Sequence, residues 1–157
     1  MAQILTLSDL TQFVQSLITS ARALSDKHTT ERNLPVNYVC IFSQSESEYE
    51  ALLLLARQLG VSAQETAMGP VFHITPIATE AGDVRLLKIR RPDPKRPERG
   101  DVDFTLPDYA KFKATYLGKP GFNLIVRTNM EMIELIDPSF DVLVYWSHPP
   151  LAQMLKI

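Results

Sequence analysis

Strand alternation turns a small set of polar side chains to one side. In GDVDFTL, Val102, Phe104 and Leu106 share one parity, which leaves Asp101, Asp103 and Thr105 on the other. In GPVFHITPI, Phe72 and Ile74 oppose Val71, His73 and Thr75. Glu134 stands with Met132 and Ile136 against Ile133 and Leu135, and Tyr145 shares the parity of Asp141 and Leu143. If helices cover the apolar faces, His73, Asp101, Asp103 and Glu134 converge on the opposite one. One imidazole with two or three carboxylates can hold a divalent metal through nitrogen and oxygen, or do general acid–base work. His73, Asp101 and Glu134 are the expected metal ligands. The plainer alternative pairs Asp101 with Arg99 or Arg90, and Glu134 with Arg127 across a hairpin.

A second set is basic. Lys88, Arg90 and Arg91 on one strand, with Lys95, Arg96 and Arg99 beyond it, form the main basic concentration. Lys88 and Arg90 alternate, so a pocket on their side suits an anionic small molecule, since arginine grips a carboxylate or phosphate in bidentate fashion. The alternative is a solvated connector whose charges Asp93, Glu98 and Asp101 balance. Cys40 shares a parity with Tyr38, and nothing beside it marks an activated nucleophile. His28, in a polar stretch, and His148, before Pro149-Pro150, read as surface residues; Trp146 with Val142 and Val144 reads as core or interface. There is no G-x-G-x-x-G, no P-loop, no H-E-x-x-H and no zinc-spaced cysteine set.

The elements that must position these residues follow from periodicity and punctuation. Leu7, Leu10, Phe13, Val14, Leu17, Ile18 and Ala21 recur at helical spacing, so a helix is expected over 6–25, capped by Ser8 or Thr6. VNYVCIF, 36–42, reads as a strand. A helix follows, capped by Ser45 or Ser47 and stopped by Gly60. Strands are expected over 61–66, 70–77 and 83–91, and PDPKRPERG then runs as an extended surface connector. The order restarts with a strand over 101–106 and a helix opened by Pro107 and ended by Gly118 and Pro120. Strands over 122–127, 130–136 and 141–147 complete it, and a short tail from Pro149 docks on the surface. The chain is thus a leading helix followed by strand–helix–strand–strand–strand twice, in units 36–91 and 101–147 of ~50 residues each. That is an α+β fold in a single domain, 1–157.

Composition narrows the classes of function. The 157 residues and 45% hydrophobic content support one core. A net charge of -2 gives no basic surface for nucleic acid. One cysteine makes no internal disulfide. MAQILTLSDL lacks the pattern of a signal peptide, and the longest apolar run, Ala51–Ala56, is too short to span a bilayer. A cytoplasmic protein without membrane or nucleic-acid partners is expected.

Three stretches carry a family likeness: VNYVCIFSQSESEYEALLLLARQLG, GPVFHITPI, and LLKIRRPDP leading on to GDVDFTL. With the tandem βαβββ order, they resemble the YecM-like branch of the vicinal-oxygen-chelate superfamily, which includes glyoxalases, extradiol dioxygenases and bleomycin-binding proteins. The resemblance covers roughly 35–147. It implies two tandem modules forming a cupped mixed sheet, with helices on the convex side and the ligand or one divalent metal inside. The superfamily's four usual metal positions then fall at Tyr38, at Lys88 or Arg90, at Asp101 or Asp103, and at Glu134 or Tyr145. Lysine and arginine carry only donors and repel cations, so the usual metal site is degraded or replaced.

The expected function is small-molecule binding in a glyoxalase-like cup, with Tyr38, Lys88, Arg90, Asp103 and Tyr145 as ligand contacts. The alternative is a divalent-metal-dependent lyase, isomerase or dioxygenase acting on a small oxygenated substrate. A third is an interaction protein whose leading helix packs on a partner through Leu10, Phe13 and Leu17. Modules and chains often pair in that superfamily, so a homodimer is also an expectation.

Overall fold

Thr6 and Asp9 start the first helix. The Thr6 hydroxyl accepts from the Asp9 amide at 3.1 Å, while the Asp9 carboxylate accepts from the Thr6 amide at 3.0 Å. The computed structural model describes residues 3, 4 and 6–157. Met1, Ala2 and Leu5, within the stretch read against a signal peptide, lie outside the described residues. Helix α1 (Leu7–His28) buries Leu10, Val14, Leu17, Ile18 and Ala21, the stripe that the spacing predicts. It runs beyond the expected end, through Asp26–His28. Lys27 and His28 grip Asp137 at 2.8 and 2.9 Å, and basic residues suit a helix C-terminus. His28 is therefore a tethered helix-end residue and not part of a linker.

Module one holds β1 (Val36–Phe42), α2 (Glu46–Leu59), β2 (Gly60–Thr66), β3 (Gly69–Thr79) and β4 (Gly82–Arg90). Ser45 caps α2, its hydroxyl accepting from the Glu48 amide at 3.1 Å. Module two holds β5 (Gly100–Phe104), α3 (Tyr109–Tyr116), β6 (Phe122–Val126), β7 (Glu131–Leu135) and β8 (Val142–His148). Helix α3 starts later than Pro107 because the Asp108 carboxylate accepts from the Lys111 amide at 3.1 Å and makes Asp108 the cap. The tail forms one more short helix, α4 (Leu151–Leu155).

The eight strands make one sheet in the order β2-β3-β4-β1-β5-β8-β7-β6. β1 pairs with β4, and β5 with β8, in parallel; every other neighbour is antiparallel. The modules meet at the β1–β5 seam, so each repeats the same order outward from it. Gly100 opens β5 against the Cys40 carbonyl, and a Cβ at that position would overlap the oxygen. The architecture is α+β: an N-terminal helix, then an eight-stranded mixed open sheet with interspersed helices.

One sheet face carries the main core, including Val39, Ile41, Leu87, Val102, Val144 and Trp146. α1 packs there on β8, β5 and β3, and α2 on β2, β3 and β4. The other face carries a smaller cluster of Tyr38, Cys40, Phe42, Val71, Leu86, Leu143 and Tyr145. That face is concave. Gln64 and Thr66 on edge strand β2 line one cavity with Arg127 and Met130, from the turn after the opposite edge strand β6, so the sheet must curl. Among the described residues no helix is long and apolar enough to cross a membrane.

Candidate functional site

Register at the seam builds the floor of the concave face. Tyr38 lies opposite Asp103, and Cys40 opposite Asp101. On the other flank of Cys40 stands Lys88 of β4. β8 and β7 extend the first of these rows, with Asp103 opposite Tyr145 and Tyr145 opposite Glu134. Two rows result: Lys88–Cys40–Asp101–Leu143, and beside it Tyr38–Asp103–Tyr145–Glu134. The sheet brings seven of the eight residues singled out from sequence to this face. Arg90 stands two residues along β4 from Lys88, and only His73 falls apart.

Burial sets the electrostatics of the floor. Asp101 is 4% exposed, and its Oδ1 has no hydrogen-bond partner. Burial pushes its carboxyl up to about 8; Lys88 and Arg90 work against the shift, and Asp103 and Glu134 add to it. Burial also raises Asp103, to about 7, against donors that favour its charged form. Those donors are the Ser147 hydroxyl and amide and the Asn37 side-chain amide. Tyr145 donates to Glu134 Oε2 at 2.8 Å, and burial, Asp101 and Glu134 hold its phenol well above the usual range. Tyr38 is raised by burial and then by Asp101 and Asp103. Burial raises the Cys40 thiol too, which leaves it a poor nucleophile.

The basic residues distribute differently from the simple pairing expected of them. Arg90 Nη2 meets Asp93 at 3.0 Å, and its guanidinium lies 4.8 Å from the centre of the Phe42 ring. Arg99, 3% exposed, binds Glu48 at 2.9 Å and donates to the Phe42 carbonyl at 2.6 Å. Neither pairs with Asp101. Glu134 turns to Arg96 at 3.4 Å and not to Arg127, because Asn123 occupies the position across the hairpin. The connector is thus partly structural: Arg96 reaches from it to the floor of module two. Lys88 is half-buried and makes no ion pair or side-chain hydrogen bond among the described residues.

His73 has the parity of the concave face, yet it is exposed. Strand order explains its separation. From β3 to β7 there are five strand steps, roughly 24 Å along the sheet at about 4.8 Å each. Along the sheet His73 is thus set apart from Glu134. Among the described residues no group of three His, Cys, Asp or Glu side chains is placed to hold a metal ion. With Lys88 and Arg90 acting on Asp101, and Arg96 on Glu134, the residues present do not fit the divalent ion that the resemblance implies.

Above the floor lies a cavity of about 540 Å³. Module one contributes Tyr38, Thr66, Val71 and Lys88 to its wall, and module two contributes Arg127, Met132 and Ser147. α4 closes one side with Leu151 and Met154, held by the Ala152 amide donating to Asn37 Oδ1 at 3.1 Å. Sequence reasoning missed Ser147, Asn37 and the tail helix, and for Arg96 left a solvated connector as the alternative. Ser147 was reachable, since it shares the parity of Tyr145. Arg96 and the tail carry no local periodic signal.

The class the structure defines is α+β: an N-terminal helix and an eight-stranded mixed open sheet whose concave face carries polar rows beside a cavity. The chain matches no family model and no curated protein. Among solved structures it is similar to a structural-genomics protein, EC4020, with a TM-score of 0.70 and 13% identity over 95% of this chain and 91% of that one. At that identity the likeness shows the shared fold.

Proposed function

We propose that this protein binds a small molecule in the cup between its two modules, as a metal-independent member of the vicinal-oxygen-chelate type. The observation that carries the reading is the cavity of about 540 Å³ lined from both modules, with Tyr38, Lys88 and Ser147 among the polar groups of its wall. Pockets of this size with a few convergent polar groups are the usual form of small-molecule sites. The tandem βαβββ order and the curled sheet support the kinship. Tyr38 and Lys88 line the cavity and are the proposed direct contacts, while Asp103, Tyr145 and Arg90 lie outside its lining.

Thermal melting against a collection of small metabolites, with and without a chelator, tests this reading. A ligand at about a hundred times its Kd adds about 2.7 kcal/mol, which is a rise of several degrees. The expected result is such a rise, unchanged by chelation. A melting point that falls on chelation, with about one divalent ion per purified chain, would replace this reading with the metal-dependent lyase, isomerase or dioxygenase.

A further inference from the structure

The sequence contains five methionines. Met1 lies outside the described residues, and the other four, Met68, Met130, Met132 and Met154, all line the one cavity between the modules. They come from four different places in the chain: the β2–β3 turn, the approach to β7, β7 itself and α4. Methionine is unbranched, has a polarisable sulfur and changes rotamer at little cost, so it suits an apolar ligand body of variable shape. The charged residues of the same lining are Lys88 and Arg127, and both are cationic. Neither makes an ion pair among the described residues, and Arg127 spends one weak contact, at 3.4 Å, on the Val126 carbonyl.

Resting on the cup as a binding site, we infer that its ligand is a singly charged anion with a flexible apolar body, the chemistry of a medium-chain carboxylic acid. The carboxylate meets Lys88 and Arg127, neither of which makes an ion pair among the described residues. The chain lies against the four thioethers with Val71 and Leu151. A dianionic head is disfavoured, because Asp101, Asp103 and Glu134 sit in the floor below and repel a second charge. The raised pKa values of Asp101 and Asp103, about 8 and about 7, reduce that repulsion near neutral pH.

The methionines themselves supply the test. Protein labelled with 13C at the methionine methyls gives one NMR signal per site, assigned by single Met→Leu substitutions. Decanoate, decanol and decyl phosphate are titrated in turn. The inference expects decanoate to shift the signals of Met68, Met130, Met132 and Met154 together, with decanol and decyl phosphate weaker. Lys88→Gln should weaken decanoate about ten- to a hundredfold, the value of a charge-assisted contact, leave decanol unchanged, and keep the unliganded spectrum; Lys88→Arg should restore binding. If decanol matches decanoate, or Lys88→Gln has no effect, the anionic class is wrong while the cup remains a binding site. Tighter binding of decyl phosphate overturns the single charge. If no probe and no member of the metabolite collection moves any of the four signals, both this inference and the proposed function fall.

Discussion

Module one and module two repeat one strand order yet set opposite charges into the floor of the concave face. From β4, module one offers Lys88 and Arg90; from β5 and β7, module two offers Asp101, Asp103 and Glu134. The seam places the two sets against each other across Cys40, where Lys88 and Arg90 work against the burial shift of Asp101. The convex sides differ as well. α2 has 14 residues and buries Leu52, Leu55 and Ala56 with a single ring, Tyr49, while α3 has only 8 and buries Phe112 and Tyr116. The Phe112 ring lies 4.6 Å from those of both Tyr116 and Trp146, tilted against each, with Phe122 completing the cluster. Large rings thus fill the volume that a longer helix fills in the other module. A repeated backbone order leaves each copy free to solve packing and charge separately.

The comparison breaks most readily at the aromatic cluster. Trp146 is fully buried, and Trp146→Ala should cost about 3–5 kcal/mol, measured by urea unfolding. Leu52→Ala in module one should cost less, about 2–4 kcal/mol. The reverse ranking would show that the rings are not what compensates for the short α3.

The charge contrast sharpens with pH. Asp101 and Asp103 have folded pKa values raised above their unfolded ones, so the folded state holds more protons between about pH 4 and pH 8. Their contribution to stability is therefore present in full below about pH 4 and declines as pH rises through about 7–8. Asp137 has the opposite sign: Lys27, His28 and Ser139 hold its carboxyl below the ordinary range, and that gain is lost as pH falls below about 4. Asp101→Asn should raise stability at pH 8 by about 1–2 kcal/mol, some 2–8 °C, and flatten the decline between pH 5 and 8. Melting curves across that range decide it. An unchanged slope would mean that Asp101 is ionised in the fold at neutral pH.

The smallest effect belongs to His73. Exposed on β3 and remote from the carboxyls, it should tolerate His73→Ala with less than about 0.5 kcal/mol of change and no loss of cup binding. Loss of ligand affinity in that variant, read by the same melting assay, would extend the site across the whole of module one.

Much of this was legible in the residues. Parity alone sorted Asp101, Asp103, Glu134, Tyr145 and Lys88 from the core positions, because the two-residue period of a strand is local. The caps at Thr6 and Ser45 and the strand–helix–strand–strand–strand order, twice over, followed from spacing and turn residues. The end of α1 did not, since it depends on Asp137, more than a hundred residues away in sequence. The connector misled for the same reason: three prolines and alternating charge predict solvent, and only the fold shows Arg96 reaching Glu134 and Arg99 buried on Glu48.

By itself the sequence determined which side chains share a face and where the three longer helices and the strands lie. The tertiary structure decided distance. Parity states a direction, but separation across a sheet is set by strand order, a product of long-range pairing that no local pattern encodes. The β1–β5 seam brought Lys88 and Asp101 to either side of Cys40, and strand order left His73 five strands from Glu134. The same curl gathered four scattered methionines around one cavity.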